Sequence, residues 1–208
     1  MFKRKKHNWT IPEGQEPTAF DKKILSYQNQ GFLVPTRKLI KTPEQIEGIK
    51  QSGVINTGVL DLIEQEIHAG MTTEEIDKLV YDYTVSHGAI PAPLNYEGFP
   101  KSVCTSINEV VCHGIPNDCE VLEEGDIINV DVSTIYKGYY SDASRMFIIG
   151  KTTPEKEKLV RVTKECLEIG ANAAKPWGFV GEIGRAIAKH AHKNGYTVVR
   201  DFGGHGIG

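Results

Sequence analysis

Long apolar runs are missing from this chain. Nothing approaches the roughly 18–20 apolar residues that a bilayer-crossing helix needs, and no secretory apolar region opens the sequence. A cytoplasmic protein with no membrane partner is therefore expected. Cysteine is scarce: Cys104, Cys112, Cys119 and Cys166 are the four present in 208 residues, and none forms a CxxC spacing. Reduced thiols follow, each acting first as a small hydrophobe in packing. An excess of one charge is absent as well. The 24 basic and 27 acidic residues leave a net charge of -3, which supplies no general attraction to DNA or to an anionic membrane. What is present is 39% hydrophobic residues, enough to bury the core of one substantial domain or two small ones.

The first 41 residues read as a polar extension. They open on the basic run Lys3–Lys6 and contain Pro12 and Pro17 with no helical or strand period. The basic run suits an acidic surface such as ribosomal RNA, although a solvated tail is the simpler account. Order is expected to begin near Thr42 and to continue to residue 208. Thr42, Pro43 and Gln45 supply a hydroxyl N-cap, a proline at the first helical position and a capping-box partner. Ile46, Ile49, Leu60, Ile63 and Ile67 then fall on one stripe of a helix, and Gly53 on that stripe predicts a close approach to the layer beneath. A second capping box, Thr72 to Glu75, opens a helix that Gly88 ends. Next come β-branched segments around VCTSINEVVCHG and DIINVDVS. The second leads through a turn near Lys137 into another strand, and so predicts a β-hairpin.

The pattern then restarts. Thr153 and Pro154 repeat the helix-start chemistry, with Leu159, Val162, Cys166 and Ile169 as a new stripe. EEIDKLVYDYTVSHGAI from 74 aligns with GEIGRAIAKHAHKNGYT from 181, pairing Ile76 with Ile183, Val80 with Ile187 and Gly88 with Gly195. This reads as an internal duplication. At the same shift the counterpart of the first hairpin falls beyond Gly208, so DFGGHGIG is expected to be a strand edge whose partner hairpin is missing.

Asp131 and Asp142 sit on opposite arms of the predicted hairpin and share a face. Two carboxylates so placed repel one another. Exposure, protonation of one of them, or cations between them would relieve that repulsion, and oxygen ligands of this kind suit Mn, Co, Fe or Zn. His113 follows a β-branched run in VVCHGIPN, at the expected end of a strand. Taken alone, a histidine there is as readily a hydrogen-bonded structural residue. His205 lies in GGHGIG, where glycines let a ligand or a neighbouring backbone come close.

In register, NYEGFPKSVCTSINEVVCHGIPN, NVDVSTIYKGYYSDASRMF and GGHGIG resemble the type I methionine aminopeptidases over residues 42 to 208. The resemblance implies an α+β pita-bread fold, a pseudo-twofold arrangement in which helix pairs cover a curved antiparallel sheet. It implies a two-metal centre with Asp131, Asp142 and His205 as ligands and Co, Mn, Fe or Zn as the ions. His113 is then the catalytic group that binds the substrate near the scissile amide. Pro93, Tyr96, Phe99 and Cys104 are implied as the wall of a methionine pocket, and the carbonyls of Asn108 and Val110 as the seat of a sodium or potassium ion. Two further glutamates and another histidine complete the family site beyond the last residue present.

The implied reaction is removal of the initiator methionine from nascent polypeptide N-termini when the second residue is small, with a dinuclear metal hydroxide attacking the peptide carbonyl. A cytoplasmic monomer is implied, touching the ribosome through its basic extension. Two other readings compete. One is a proline dipeptidase of the same fold, against which the CHGIPN context and compact pocket weigh. The other is an inactive or binding-only pita-bread chain, favoured because two family glutamates lie beyond residue 208.

Overall fold

The computed structural model describes residues 8–207. The basic run Lys3–Lys6 and the terminal Gly208 lie outside them. Two compact units divide the chain, one reaching Gly48 and the other running from Ile49 to Ile207.

In the first unit, order begins well before Thr42, which corrects the expectation of a structureless extension. Helix α1 spans Ala19–Asn29, opened by a reciprocal capping box between Thr18 and Asp21. Its anchor is Trp9, 3% exposed. The indole Nε1 donates to Asp21 Oδ1 at 2.9 Å, the Arg37 guanidinium lies 4.5 Å from the ring centre, and Arg37 pairs with Asp21. Local periodicity could not reveal this helix, because its buried side rests on residues 12 and 16 positions away.

The second unit holds most of the remaining elements. Helix α2 spans Pro43–Glu66, with the Thr42–Gln45 capping box formed at its start. Helix α3 spans Thr73–Ser86 and carries the Thr72–Glu75 box. Strands β1 (Ile90–Pro91), β2 (Cys104–Ile107), β3 (Ile127–Tyr136) and β4 (Tyr139–Ile148) follow, then helices α4 (Pro154–Ala173) and α5 (Gly181–Lys193). All strand pairings are antiparallel. Central β3 carries β1 and β2 along one edge and β4 along the other.

One face of β3 builds the core. Ile128, Val130 and Val132 are at most 1% exposed and pack with Val59, Leu60 and Ile63 of α2 and Ile76 and Val80 of α3. Each such side chain contributes about 1.5–3 kcal/mol on burial. The buried stripe of α2 starts later than expected, since Ile46 is 45% exposed. The close approach belongs to Gly58, where an added Cβ would meet the Tyr83 hydroxyl at 2.3 Å, and not to Gly53, which has open space. α3 and α5 match the proposed duplication, and both end before a glycine of positive φ, 69° at Gly88 and 86° at Gly195. Residues Thr197 to Ile207 form no strand, so the expected strand edge at DFGGHGIG is corrected to irregular chain.

Candidate metal centre

The second face of β3 carries the candidate site. Lys137 and Gly138, with φ of 49° and 82°, form the two-residue connection between β3 and β4. Both are left-handed, as a hairpin turn matching the strand twist requires. That turn fixes the register. Asp131 stands opposite Ser144 and Asp142 opposite Ser133, so the two carboxylates are diagonal neighbours on one face. Sequence spacing had placed them on one face, and the pairing shows the two-residue offset. Ser133 Oγ donates to Asp142 Oδ1 at 2.7 Å and holds that carboxylate. Ser133 was missed in the sequence, although the hairpin register points to it as the residue facing Asp142.

The charges are felt across the site. Burial pushes the Asp131 carboxyl above its usual range, the Asp142 charge adds to this, and His113 and His205 oppose it. Cys104 lies directly across from Asp131 on β2. Its thiol is pushed up to about 11, first by burial and then by Asp131, Cys112 and Asp142. A protonated, unreactive Cys104 is the result. Asp131, Asp142, His113, His205, Cys104 and Cys112 therefore share one electrostatic neighbourhood.

His113 arrives by a different route from the one expected. β2 stops at Ile107, so His113 sits in a loop and not at a strand end. Val110 N donates to Ile107 O at 3.0 Å, and Thr105 N to Gly114 O at 3.0 Å, folding the loop back on β2. His113 has φ of 56°. Among the described residues six non-glycine positions have positive φ, and Asn95, Glu97, Asn108 and His113 are four of them. They mark the two loops flanking β2 as shaped segments.

Three members of the predicted pocket wall, Pro93, Tyr96 and Phe99, lie on the first of these loops, and the fourth, Cys104, opens β2. Asn95 N donates to Phe99 O at 2.8 Å and Tyr96 N to Pro93 O at 2.9 Å, closing the segment on itself. Tyr96 is 68% exposed, while Pro93 and Phe99 are partly buried. Asn108 and Val110, the predicted cation seat, open the second loop.

His205 is less firmly held. Its Nε2 lies 3.6 Å from Asp142 Oδ2 and its side chain is 73% exposed. Two mutually repelling carboxylates with an imidazole at hand fit a borderline divalent cation in donor type. In placement, among the described residues, no three His, Cys, Asp or Glu side chains are gathered closely enough to hold an ion.

Residues 47–208 match the sequence profile of metallopeptidase family M24. The chain belongs to this family. Methionine aminopeptidase A of Synechocystis sp. is 53% identical over 163 residues, covering 78% of this chain and 64% of that protein. Methionine aminopeptidase of Escherichia coli is 48% identical over 170 residues, covering 81% and 64%. The crystal structure of methionine aminopeptidase from Rickettsia prowazekii superposes with a TM-score of 0.79 at 44% identity, over 81% of this chain and 67% of that one. The M24 pita-bread fold is thus the fold of this chain, and the chain spans under two thirds of the length of the two curated relatives. Family membership makes divalent-metal peptidase chemistry the framework for the site.

Proposed function

We propose that this chain carries the methionine-recognising part of an aminopeptidase that removes the N-terminal initiator methionine from nascent proteins whose second residue is small. The observation that supports the reading most is the diagonal Asp131–Asp142 pair, fixed by the hairpin register and sharing its electrostatic neighbourhood with His113 and His205. The relatives described above are named methionine aminopeptidases.

Asp131, Asp142 and His205 would hold the ions, two in number and drawn from Co, Mn, Fe or Zn. Divalent cations, when bound there, supply a water nucleophile at neutral pH and positive charge for the carbonyl oxygen. Ser133 keeps Asp142 oriented. His113 donates to or accepts from the scissile amide and orients it. Pro93, Tyr96, Phe99 and Cys104 take the unbranched thioether side chain, and a protonated Cys104 suits that apolar role. The carbonyls of Asn108 and Val110 offer oxygen to a monovalent cation. Nascent N-termini are the partners, with the ribosome met through the basic N-terminal run. The protein acts as a cytoplasmic monomer.

The loose gathering of ligands favours a second reading, a chain that binds without turnover. The test is release of methionine from a Met-Ala-Ser peptide by the purified chain with added Mn or Co, beside Asp142→Asn and a chelator-treated sample. Turnover lost in both controls supports the first reading. Metal binding by calorimetry without turnover supports the second. Absence of both binding and turnover ends the proposal.

A further inference from the structure

Residues 101–103, between the first of the loops flanking β2 and β2 itself, form no strand, and helix α3 fastens them. Asp77 Oδ1 accepts from Ser102 N at 2.6 Å, and the Val103 amide also bonds to that carboxyl. One turn earlier on the same face of the helix, Glu74 pairs with the Lys101 ammonium. Ser102 and Val103 are 2% and 0% exposed, so loss of the acceptor would leave a buried N–H without a partner. Asp77 is itself partly buried. Burial pushes its carboxyl above the usual range, and the Ser102 amide, Lys101 and the Val103 amide work against that push while Glu74 adds to it.

This fastening falls between members of the predicted pocket wall. Residues 93–99 are held at their entry, where Ala92 N donates to Ser133 O at 2.8 Å, and they close on themselves through Asn95 and Phe99. At their exit Pro100 has no N–H to give. Beyond it the chain is tied down at Lys101 and Ser102. Phe99 precedes Ser102 by three residues and Cys104 follows it by two. The spacing of these two wall residues therefore depends on how α3 grips the chain between them. Cys104 in turn stands opposite Asp131.

We propose that Asp77 is a positioning residue of the methionine pocket. By holding the Ser102 amide it sets the distance between Phe99 and Cys104, and so the selectivity of the pocket for a long unbranched side chain over a short one. A wall that grips by packing loses that selectivity when it shifts, because dispersion contacts weaken steeply over a gap of about 0.5–1 Å. What the Ser102 amide requires is one oxygen in place, not a negative charge, and Asp77→Asn would keep that oxygen. The role rests on the reading of Pro93, Tyr96, Phe99 and Cys104 as the pocket wall. Its test needs no turnover, so the loss of peptide hydrolysis and the loss of this role are separable.

The experiment measures, by calorimetry on the full chain with Mn present, the affinities of L-methioninol and L-alaninol, amino alcohols that share an amine and lack a scissile bond. The wild type should bind L-methioninol the more tightly, by about tenfold or more. Asp77→Ala should lose most of that preference, whereas Asp77→Asn should keep it to within about twofold. Affinity for Mn alone should be the same in each, because Asp131, Asp142 and His205 are untouched. General loosening would weaken both amino alcohols together and leave their ratio unchanged. Should Asp77→Ala fail to fold, Asp77→Glu, which moves the acceptor by one methylene, takes its place with the same expectation. A wild type without preference for L-methioninol overturns the pocket reading and this proposal together. A wild-type preference that survives in that variant, or that Asp77→Asn loses as fully, overturns the positioning role alone.

Discussion

A β-carbon on Gly114 would stand 1.8 Å from the carbonyl oxygen of Thr105 and 2.8 Å from its carbon. Both are backbone atoms of β2, in a residue whose N–H is itself tied to Gly114 O, so neither can rotate away. Gly114→Ala should cost about 3 kcal/mol, measured by urea unfolding, and should displace His113 next to it. At Asp21 the effect is electrostatic. The Thr18 hydroxyl, with lesser help from the Thr18 amide, Trp9 and Arg37, outweighs burial and holds this carboxyl below its usual range. A carboxyl with a lowered folded-state pKa stabilises above its unfolded value, and that stabilisation is lost as pH falls through the folded value. The urea stability of the wild type should therefore exceed that of Asp21→Asn at neutral pH, with the gap closing as the solution is acidified below about pH 4. A gap constant with pH would assign the contact to packing. At this scale the sequence was informative where chemistry repeats at fixed spacing. Asp131 and Asp142 could be read as one face, whereas Gly58 and Gly114 could not be singled out, because what crowds them comes from Tyr83 and from the backbone of another segment.

Helix ends were legible because each is a local device: Thr42 with Gln45, Thr72 with Glu75, and Thr153 beneath the Lys156 amide all form the caps their residue types announce. α1 has a capping box of the same kind, yet no apolar period marks it, since its hydrophobic side is completed by Trp9 and not by a stripe of its own. The sequence before His113 suggests strand where the structure has loop, for a related reason. Its β-branched residues Val110 and Val111 are 39% and 65% exposed, and the turn at Asn108 takes them out of the sheet. The hairpin between β3 and β4 offers a direct test. Gly138 holds φ of 82° with open space around it, so Gly138→Ala meets backbone strain and no clash. About 1 kcal/mol of stability should be lost, visible as a lower urea midpoint with an unchanged slope.

Across the whole molecule, protection should be uneven. β3 is paired on both edges and its inner face is sealed, whereas β4 has one partner among the described residues and presents a free edge. α4 and α5 share a small cluster of Val162, Cys166 and Ala191, against thirteen buried residues in the main core. Native-state hydrogen exchange should find the amides of β3 slowest, those on the outer edge of β4 fast, and the α4–α5 pair opening at a lower free energy than α2 and α3. Equal protection in both helix pairs would show that they open as one cooperative unit. The duplication was readable in the sequence as a shift that superimposes α3 on α5, since each copy repeats its stripe and its terminal glycine, though not the N-terminal capping box of α3. How firmly the second copy holds its own side chains was not, because burial depends on what lies across from a helix face and not on the face itself.

The turn at Lys137 and Gly138 has one more implication. Because side chains alternate along a strand, Asp131 and Asp142 share a face only while the register of the hairpin holds. A strand that slipped by one residue would turn its whole apolar set out of the core together with its carboxylate. The buried Ile128, Val130 and Val132 of β3 therefore guard the carboxylate pair from the opposite side of the sheet. A residue inserted at the turn has a cheaper outlet, a three-residue loop that leaves the ladder in step. Lengthening the turn by one should thus spare both the sheet and the place for an ion, whereas any change that shifts the ladder should cost both at once.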